Sequence, residues 1–254
     1  METLLYEAQD HIGRLTLNRP ESLNAINETM LDELEVFWTE RQHDLDTRVI
    51  VLGAAGEKGF CSGMDLKEAV PRMAGLDVRQ FFLFQQRMSR LLLAMRLAPQ
   101  PIIATVFGPA VGGGFSFALA ADVRLISPDA RFGAAYINVG FGGADMGSSY
   151  FLPRLIGAGR AYEFLLTGRM MDAETALELG LVSRIVPREK LADAAFDLAA
   201  VMCRKNPLGL RLTKEAINLN LDAAGLASAL ELENRNQALC FATLRYEGQS
   251  PITN

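Results

Sequence analysis

Two short glycine-bearing segments, each placed directly after an apolar run, constrain this chain more than anything else in it. Val49 to Leu52 leads towards Phe60-Cys61-Ser62-Gly63-Met64-Asp65. Ile102 to Val106 leads into Phe107-Gly108-Pro109-Ala110-Val111-Gly112-Gly113-Gly114-Phe115-Ser116. Each run has the length and content of a buried strand, and each segment opens onto helical periodicity. Glycine lets the chain turn tightly there and lets a ligand approach the main chain itself. Two such turns brought side by side can aim two amide N–H groups at one oxygen, a geometry that stabilises negative charge.

The remaining local patterns call for an α/β body. Thr3 to Tyr6 and Ile12 to Leu17 read as a strand pair around a turn at Gln9-Asp10, and Ile26, Met30, Leu34, Phe37 and Trp38 recur at helical spacing. Asn27 is placed to cap that helix, which should run to Arg41. Arg48 to Leu52 and Ile102 to Val106 are buried strands, and Val123 to Ile126 is a third. Asp77 to Leu97 is helical and ends before Pro99, whereas Ala69 to Gly75, which carries Pro71, reads as a mobile loop. A helix runs from about Gly112 to Ala120. Others are expected at Tyr150 to Leu155, Ala161 to Thr167, Ala173 to Leu179 and Glu189 to Arg204. Repeated strand-then-helix returns imply stacked sheets with crossover helices. Pro207 opens a further helix with Leu208, Leu212, Ala216 and Leu219 on one face, and Leu226 to Leu244 is a last one with Glu231, Glu233 and Arg235 on its wet side. The chain thus divides into a core over residues 1–204 and a helical region over 205–254.

Composition removes several function classes. With 30 acidic and 25 basic residues, and no long basic cluster, the chain does not fit a nucleic-acid partner. Its apolar runs fall short of the roughly 18 to 20 residues of a membrane span. Three sparse cysteines, Cys61, Cys203 and Cys240, and an acidic, non-signal N-terminus point to a reducing, cytoplasmic setting. The only histidines, His11 and His43, read as surface residues, so neither a metal site nor a Ser-His-Asp triad is expected. Gly112-Gly113-Gly114 lacks the lysine and hydroxyl of a P-loop, and Gly140-Phe141-Gly142 is only half a dinucleotide fingerprint.

Read in order, Leu15-Thr16-Leu17-Asn18-Arg19-Pro20 with Asn24-Ala25, the FCSGMDL and GPAVGGG segments, Asp122, Phe132-Gly133, Leu152-Pro153-Arg154, Leu166-Thr167-Gly168 and Gly180-Leu181-Val182 resemble the crotonase family, the enoyl-CoA hydratase/isomerase proteins. The resemblance implies an α/β, crotonase-like (ClpP/crotonase) fold of repeated ββα units. It also implies a C-terminal helical region that builds a homotrimer or a dimer of trimers. The ligand it implies is an acyl-CoA thioester, with coenzyme A arriving as part of the substrate and no permanently bound cofactor. By motif position, the N–H groups of Met64 and Gly113 match the oxyanion donors, while Asp65 and Leu66 border the path of the adenine and pantetheine. Lys67 either touches a CoA phosphate or is simply solvated.

The chain departs from the family's hydratases at both acid–base positions. Where those enzymes carry two glutamates, this chain has Ser116 and Tyr136. Neither is a carboxylate, so hydration by the two-glutamate route is excluded. Asp145, nine residues beyond Tyr136, is the replacement candidate for proton transfer; its other reading is a cap for the helix beginning near Gly147. Tyr136 suits hydrogen-bond donation better than base chemistry, orienting Asp145 or the substrate or else packing in the core. Ser116 reads as a helix-interior filler or as a nucleophile without an obvious base. One carboxylate suffices to move a double bond. The alternatives are a carbon–carbon or thioester hydrolase of the same fold and an acyl-CoA-binding protein without catalysis. The surplus of apolar residues from Phe81 through Met88 to Met95 favours a hydrophobic or bulky acyl group.

Overall fold

The computed structural model describes residues 1–246; the predicted C-terminal region's last part, 247–254, lies outside the described residues. The first hairpin pairs β1 (Leu4–Gln9) with β2 (Ile12–Leu17) in antiparallel register. Its turn falls at Asp10-His11, one residue later than expected, with φ of 50° and 66°. Two positive φ values in a two-residue loop match the twist of the flanking strands.

Asn27 caps α1 (Glu28–Arg41), its side chain accepting from Met30 N at 3.0 Å. The chain then returns parallel to β2 as β3 (Val49–Ala54). Next comes α2 (Leu66–Met73), where a mobile loop was expected. Pro71 is tolerated because Asp65 secures the helix start and the helix ends two residues past the proline, so only the bond to the Lys67 carbonyl is forfeited. A capping box between Asp77 and Gln80 starts α3 (Val78–Leu97).

Strand β4 (Ile102–Val106), then β5 (Pro109–Val111), α4 (Gly113–Ala120), β6 (Val123–Ile126) and β7 (Arg131–Gly133) follow, with a 3-10 turn at Ala135–Val139. The rest is α5 (Ser148–Ile156), α6 (Ala158–Thr167), β8 (Met171–Asp172), α7 (Ala173–Glu178), β9 (Arg184–Ile185), α8 (Leu191–Cys203), α9 (Pro207–Asn220) and α10 (Leu226–Tyr246).

Six strands form one sheet in the order β1-β2-β3-β4-β6-β9, and β5-β7-β8 form a second. Strand-then-helix returns around these sheets make the α/β body that the sequence implied. In the large sheet β2, β3, β4, β6 and β9 run parallel. Both of its faces are covered, which is why β3 and β4 read as continuous apolar runs. Ile50, Leu52, Ile102, Ala104 and Val106 face the main core with Phe37, Trp38 and Phe115, while Val49, Val51 and Ile103 face α8. The side-chain period of two divides each strand between two apolar clusters.

The expected apolar face of α9 needs correction. Its buried residue is Lys214, while Leu219 is exposed. Lys214 Nζ reaches the Gln100 carbonyl at 2.8 Å, the Met95 carbonyl at 3.3 Å and Asp122 Oδ2 at 2.9 Å. The Met95 carbonyl lies in the last turn of α3, where the donor four residues on would be Pro99, which has no N–H. The lysine takes that place, and a cation also suits a helix C-terminus.

Candidate active site

The segment 61–65 is threaded between two neighbours. Cys61 N bonds the Pro109 carbonyl at 3.1 Å and Val111 N bonds the Cys61 carbonyl at 2.9 Å. Further along, Ile26 N bonds the Gly63 carbonyl at 2.7 Å and Asp65 N bonds the Ile26 carbonyl at 2.9 Å. In a trans peptide the C=O and N–H point oppositely. With the Gly63 carbonyl turned to Ile26, the Met64 N–H faces away from Ile26. The Gly112 carbonyl is likewise the first acceptor of α4, receiving Ser116 N at 3.0 Å, so the Gly113 N–H points out of the helix start. Neither amide has a hydrogen-bond partner among the described residues.

Glycine is what lets these two segments meet. Gly63 has φ of +88°, and a Cβ there would lie 2.8 Å from the Val111 carbonyl oxygen and 3.3 Å from Gly113 N. At Gly114 a Cβ would collide with the Cys61 carbonyl oxygen, so α4 packs directly on the other segment's backbone.

Met64 and Gly113 line one cavity of about 180 Å³ together with Leu66, Tyr136 and Asp145. Its walls are otherwise mostly apolar, from Met73, Phe81, Phe84, Met88, Phe141 and Met146. A smaller hollow of about 100 Å³ shares Met64, Met73, Phe84 and Met88 with it and continues past Leu31 and Leu76.

Asp145 does not cap the following helix with its carboxylate: the N-cap of α5 is Gly147, with no side-chain bond. The main chain at 145 holds that turn instead, trading bonds with Ser148 N at 3.0 Å and Ser148 Oγ at 3.2 Å. The carboxylate takes Met146 N on Oδ1 at 2.7 Å and Gln85 Nε2 on Oδ2 at 3.2 Å. Nothing in the sequence sets Gln85 apart, because it opens the polar run Gln85-Gln86-Arg87 that any exposed helix face could carry.

Tyr136 does not orient Asp145 through a hydrogen bond. Its hydroxyl pairs with Ser116 Oγ at 2.8 Å. Burial, with the charge of Asp145 added, pushes the phenol well above its ordinary range, so it remains protonated and neutral. Ser116 is fully buried and is not among the residues lining the cavity; it stands behind Tyr136 and not beside the two amides. Cys61 is equally interior, and burial raises its thiol to about 12.

The other predicted contacts separate. Leu66 lines the main cavity. Asp65 lines the smaller hollow, but its carboxylate is committed, capping α2 through Lys67 N at 3.2 Å and pairing with Arg19 at 2.9 Å. A ligand at Asp65 would therefore meet main chain, not a free charge. The Lys67 side chain is exposed, lines neither hollow and has no acidic partner among the described residues. Those residues include no group of His, Cys, Asp or Glu able to hold a metal ion. None of their helices is long and apolar enough to cross a membrane. Chemically, two unpaired amides and a carboxylate on one mostly apolar cavity can hold an anionic oxygen at one point and move a proton at another.

Comparison with known proteins gives this geometry a context. The profile of a family described as enoyl-CoA hydratase/isomerase matches residues 7–251. A probable enoyl-CoA hydratase of Mycobacterium tuberculosis is 41% identical over 237 residues, covering 92% of this chain and 83% of its own. An (E)-benzylidenesuccinyl-CoA hydratase of Thauera aromatica is 38% identical over 219 residues, 85% of this chain and 82% of its own. Among solved structures, a probable enoyl-CoA hydratase/isomerase from Mycobacterium abscessus superposes with a TM-score of 0.85 at 36% identity, covering 97% of both chains.

Proposed function

We propose, from the premise that this chain belongs to the enoyl-CoA hydratase/isomerase (crotonase) family, that it isomerises an unsaturated acyl-CoA thioester through an enolate, with Asp145 as the sole proton carrier. The family's enzymes act on CoA thioesters, so coenzyme A enters with the substrate. What supports the reading is one observation: Met64, Gly113 and Asp145 line the same cavity, both amides lacking a partner among the described residues. In the proposed step Asp145 takes a proton from the carbon flanking the double bond. The C–H pair moves into the conjugated system, and negative charge collects on the thioester oxygen held by Met64 N–H and Gly113 N–H. The same proton is returned to a different carbon, so the double bond shifts and nothing is oxidised or reduced. Each amide contributes about 3 kcal/mol to the transition state in comparable sites.

Hydration asks for more, namely a water activated on one side and a proton delivered on the other. The neutral Ser116–Tyr136 pair supplies no base for that, whereas isomerisation is within reach of one carboxylate. The methionine- and phenylalanine-rich walls, and the second hollow they share, favour a hydrophobic or bulky acyl group. In the same reading residues 205–254 act as an oligomerisation region for a homotrimer or dimer of trimers. The three free cysteines accord with a cytoplasmic setting. A second reading, acyl-CoA binding without catalysis, draws on the Met146 amide that occupies Asp145 Oδ1.

The deciding experiment follows the double bond of a 3-enoyl-CoA together with deuterium exchange at its flanking carbons. Asp145→Asn should lower both by about 100-fold or more, with acyl-CoA affinity within a few-fold. Unchanged turnover in the variant would defeat the role of Asp145. A parent protein that binds the thioester but exchanges no proton would establish the binding reading.

A further inference from the structure

We infer that Gln85 is a positioning residue whose effect on the reaction passes through Asp145; the inference rests on the proton-carrying role proposed above. Asp145 sits in a glycine-rich loop between the 3-10 turn ending at Val139 and the start of α5. Its carboxylate has two donors. One, Met146 N, belongs to the same loop and moves with it. The other, Gln85 Nε2, comes from α3 across 60 residues of sequence and, among the described residues, is what ties the carboxylate to a long rigid element.

The supporting helix is suited to the task. α3 spans 20 residues and is held at its start by the capping box of Asp77 and Gln80. It is buried at Met88, Leu91, Leu92 and Met95. Phe81 lies one helical turn before Gln85, on the same face. Its ring stacks on Phe141 with centroids 5.8 Å apart and planes 8° from parallel. One face of α3 therefore grips the loop at two points, by an aromatic stack at Phe141 and a hydrogen bond at Asp145.

The chemistry selects an amide for this position. A carboxylate that carries one proton between two carbons must present the same oxygen to both. Rotation about its side-chain torsions is what a fixed donor removes. Lysine or arginine would add a positive charge beside a base, and glutamate would compete for its proton. A glutamine donates one N–H and adds no charge; together with Met146 N it fills two of the roughly four lone-pair sites of the carboxylate, which leaves acceptor capacity for a proton in the cavity that both residues line.

The test is a double-mutant cycle on the full-length protein, using a 3-enoyl-CoA as substrate. Gln85→Met keeps the length and apolar packing of the side chain and removes the donor. It should lower kcat about ten-fold while KM stays within about three-fold. In the Asp145→Asn background the same change should alter kcat less than about two-fold, because its route to the reaction has already been cut. Gln85→Leu should follow the same pattern and guards against a peculiarity of methionine. Additive losses in the double variant, or a Gln85→Met protein with parental kcat, would overturn the inference while leaving Asp145 in its role. An Asp145→Asn variant with parental turnover would overturn both.

Discussion

At Gly63 a single hydrogen atom in place of a side chain decides whether two loops share one cavity. The backbone there is left-handed at +88°, and a methyl group would press on the Val111 carbonyl oxygen at 2.8 Å, a main-chain atom that cannot swing aside. Gly63→Ala should therefore lower the free energy of unfolding by about 1–3 kcal/mol and depress turnover with it, as the Met64 amide is pushed away from Gly113. Denaturant titration beside an activity measurement checks this, and parental values in both would show that the loop relaxes freely. Residues of this kind were legible in the sequence because glycine after a strand-like run is itself a geometric signal. Gln85 and Arg19 were not. Their meaning depends on Asp145 and Asp65, which lie 60 and 46 residues away and meet them only through the fold. Tyr136 falls between these cases. Its position was marked, but its partner proved to be Ser116 at the cavity's back wall, which no spacing rule announces.

Among the elements, long and periodic ones were readable and short ones were not. α1, β4 and β6 appear where apolar spacing and caps put them. β8 and β9 have two residues each, too few to show any period, and they exist because neighbouring strands accept them. α2 was hidden by Pro71, and α9 by the assumption that leucines would form its buried stripe. Beside the packing of Leu210 on the α8-side core, polar contacts attach α9 and the turn after it to the body: Lys214 with Asp122, Arg96 with Asn218, and Asp222 with Tyr150 and Arg154. The last of these gives a pH signature. Hydrogen bonds from Tyr150, then from Arg154, hold the Asp222 carboxyl below its ordinary 3.8. A carboxyl with a lowered folded-state value stabilises above the unfolded value and loses that contribution as pH falls through the folded one. The parent should thus unfold at a higher temperature than Asp222→Asn at pH 7, and the gap should close as the pH drops below 3.8. A gap of constant size from pH 7 to pH 2.5 would assign the effect to shape and not to charge.

For the molecule as a whole, the single chain leaves a conspicuous amount of its C-terminal surface apolar. Ile217, Leu219 and Leu221 near the end of α9, and Leu226 at the start of α10, are each more than half exposed. The body has already closed around its own cores through α8 and the two sheets, and among the described residues these four side chains belong to neither core cluster. Apolar side chains clustered at one end of a molecule mark association surfaces more often than solvent-facing ones. Self-association through a closed symmetric ring buries them in every copy. We expect a trimer, or two trimers paired, at micromolar concentration and neutral pH. Replacing Ile217 and Leu219 together by aspartate should shift the population towards monomer, because each new charge would have to be desolvated at the contact. Light scattering coupled to size separation reads both states directly. A parent protein that runs as a monomer would remove the oligomer from the account. A doubly substituted protein that remains trimeric would move the contact away from α9, to the exposed leucines of α10 at 230 and 239. Activity measured on the same fractions adds a further constraint. Proton exchange on the acyl-CoA that persists, per chain, in a folded monomer would show that the cavity lined by Met64, Gly113, Tyr136 and Asp145 suffices, whereas its loss on dissociation would point to a neighbouring copy that completes the site.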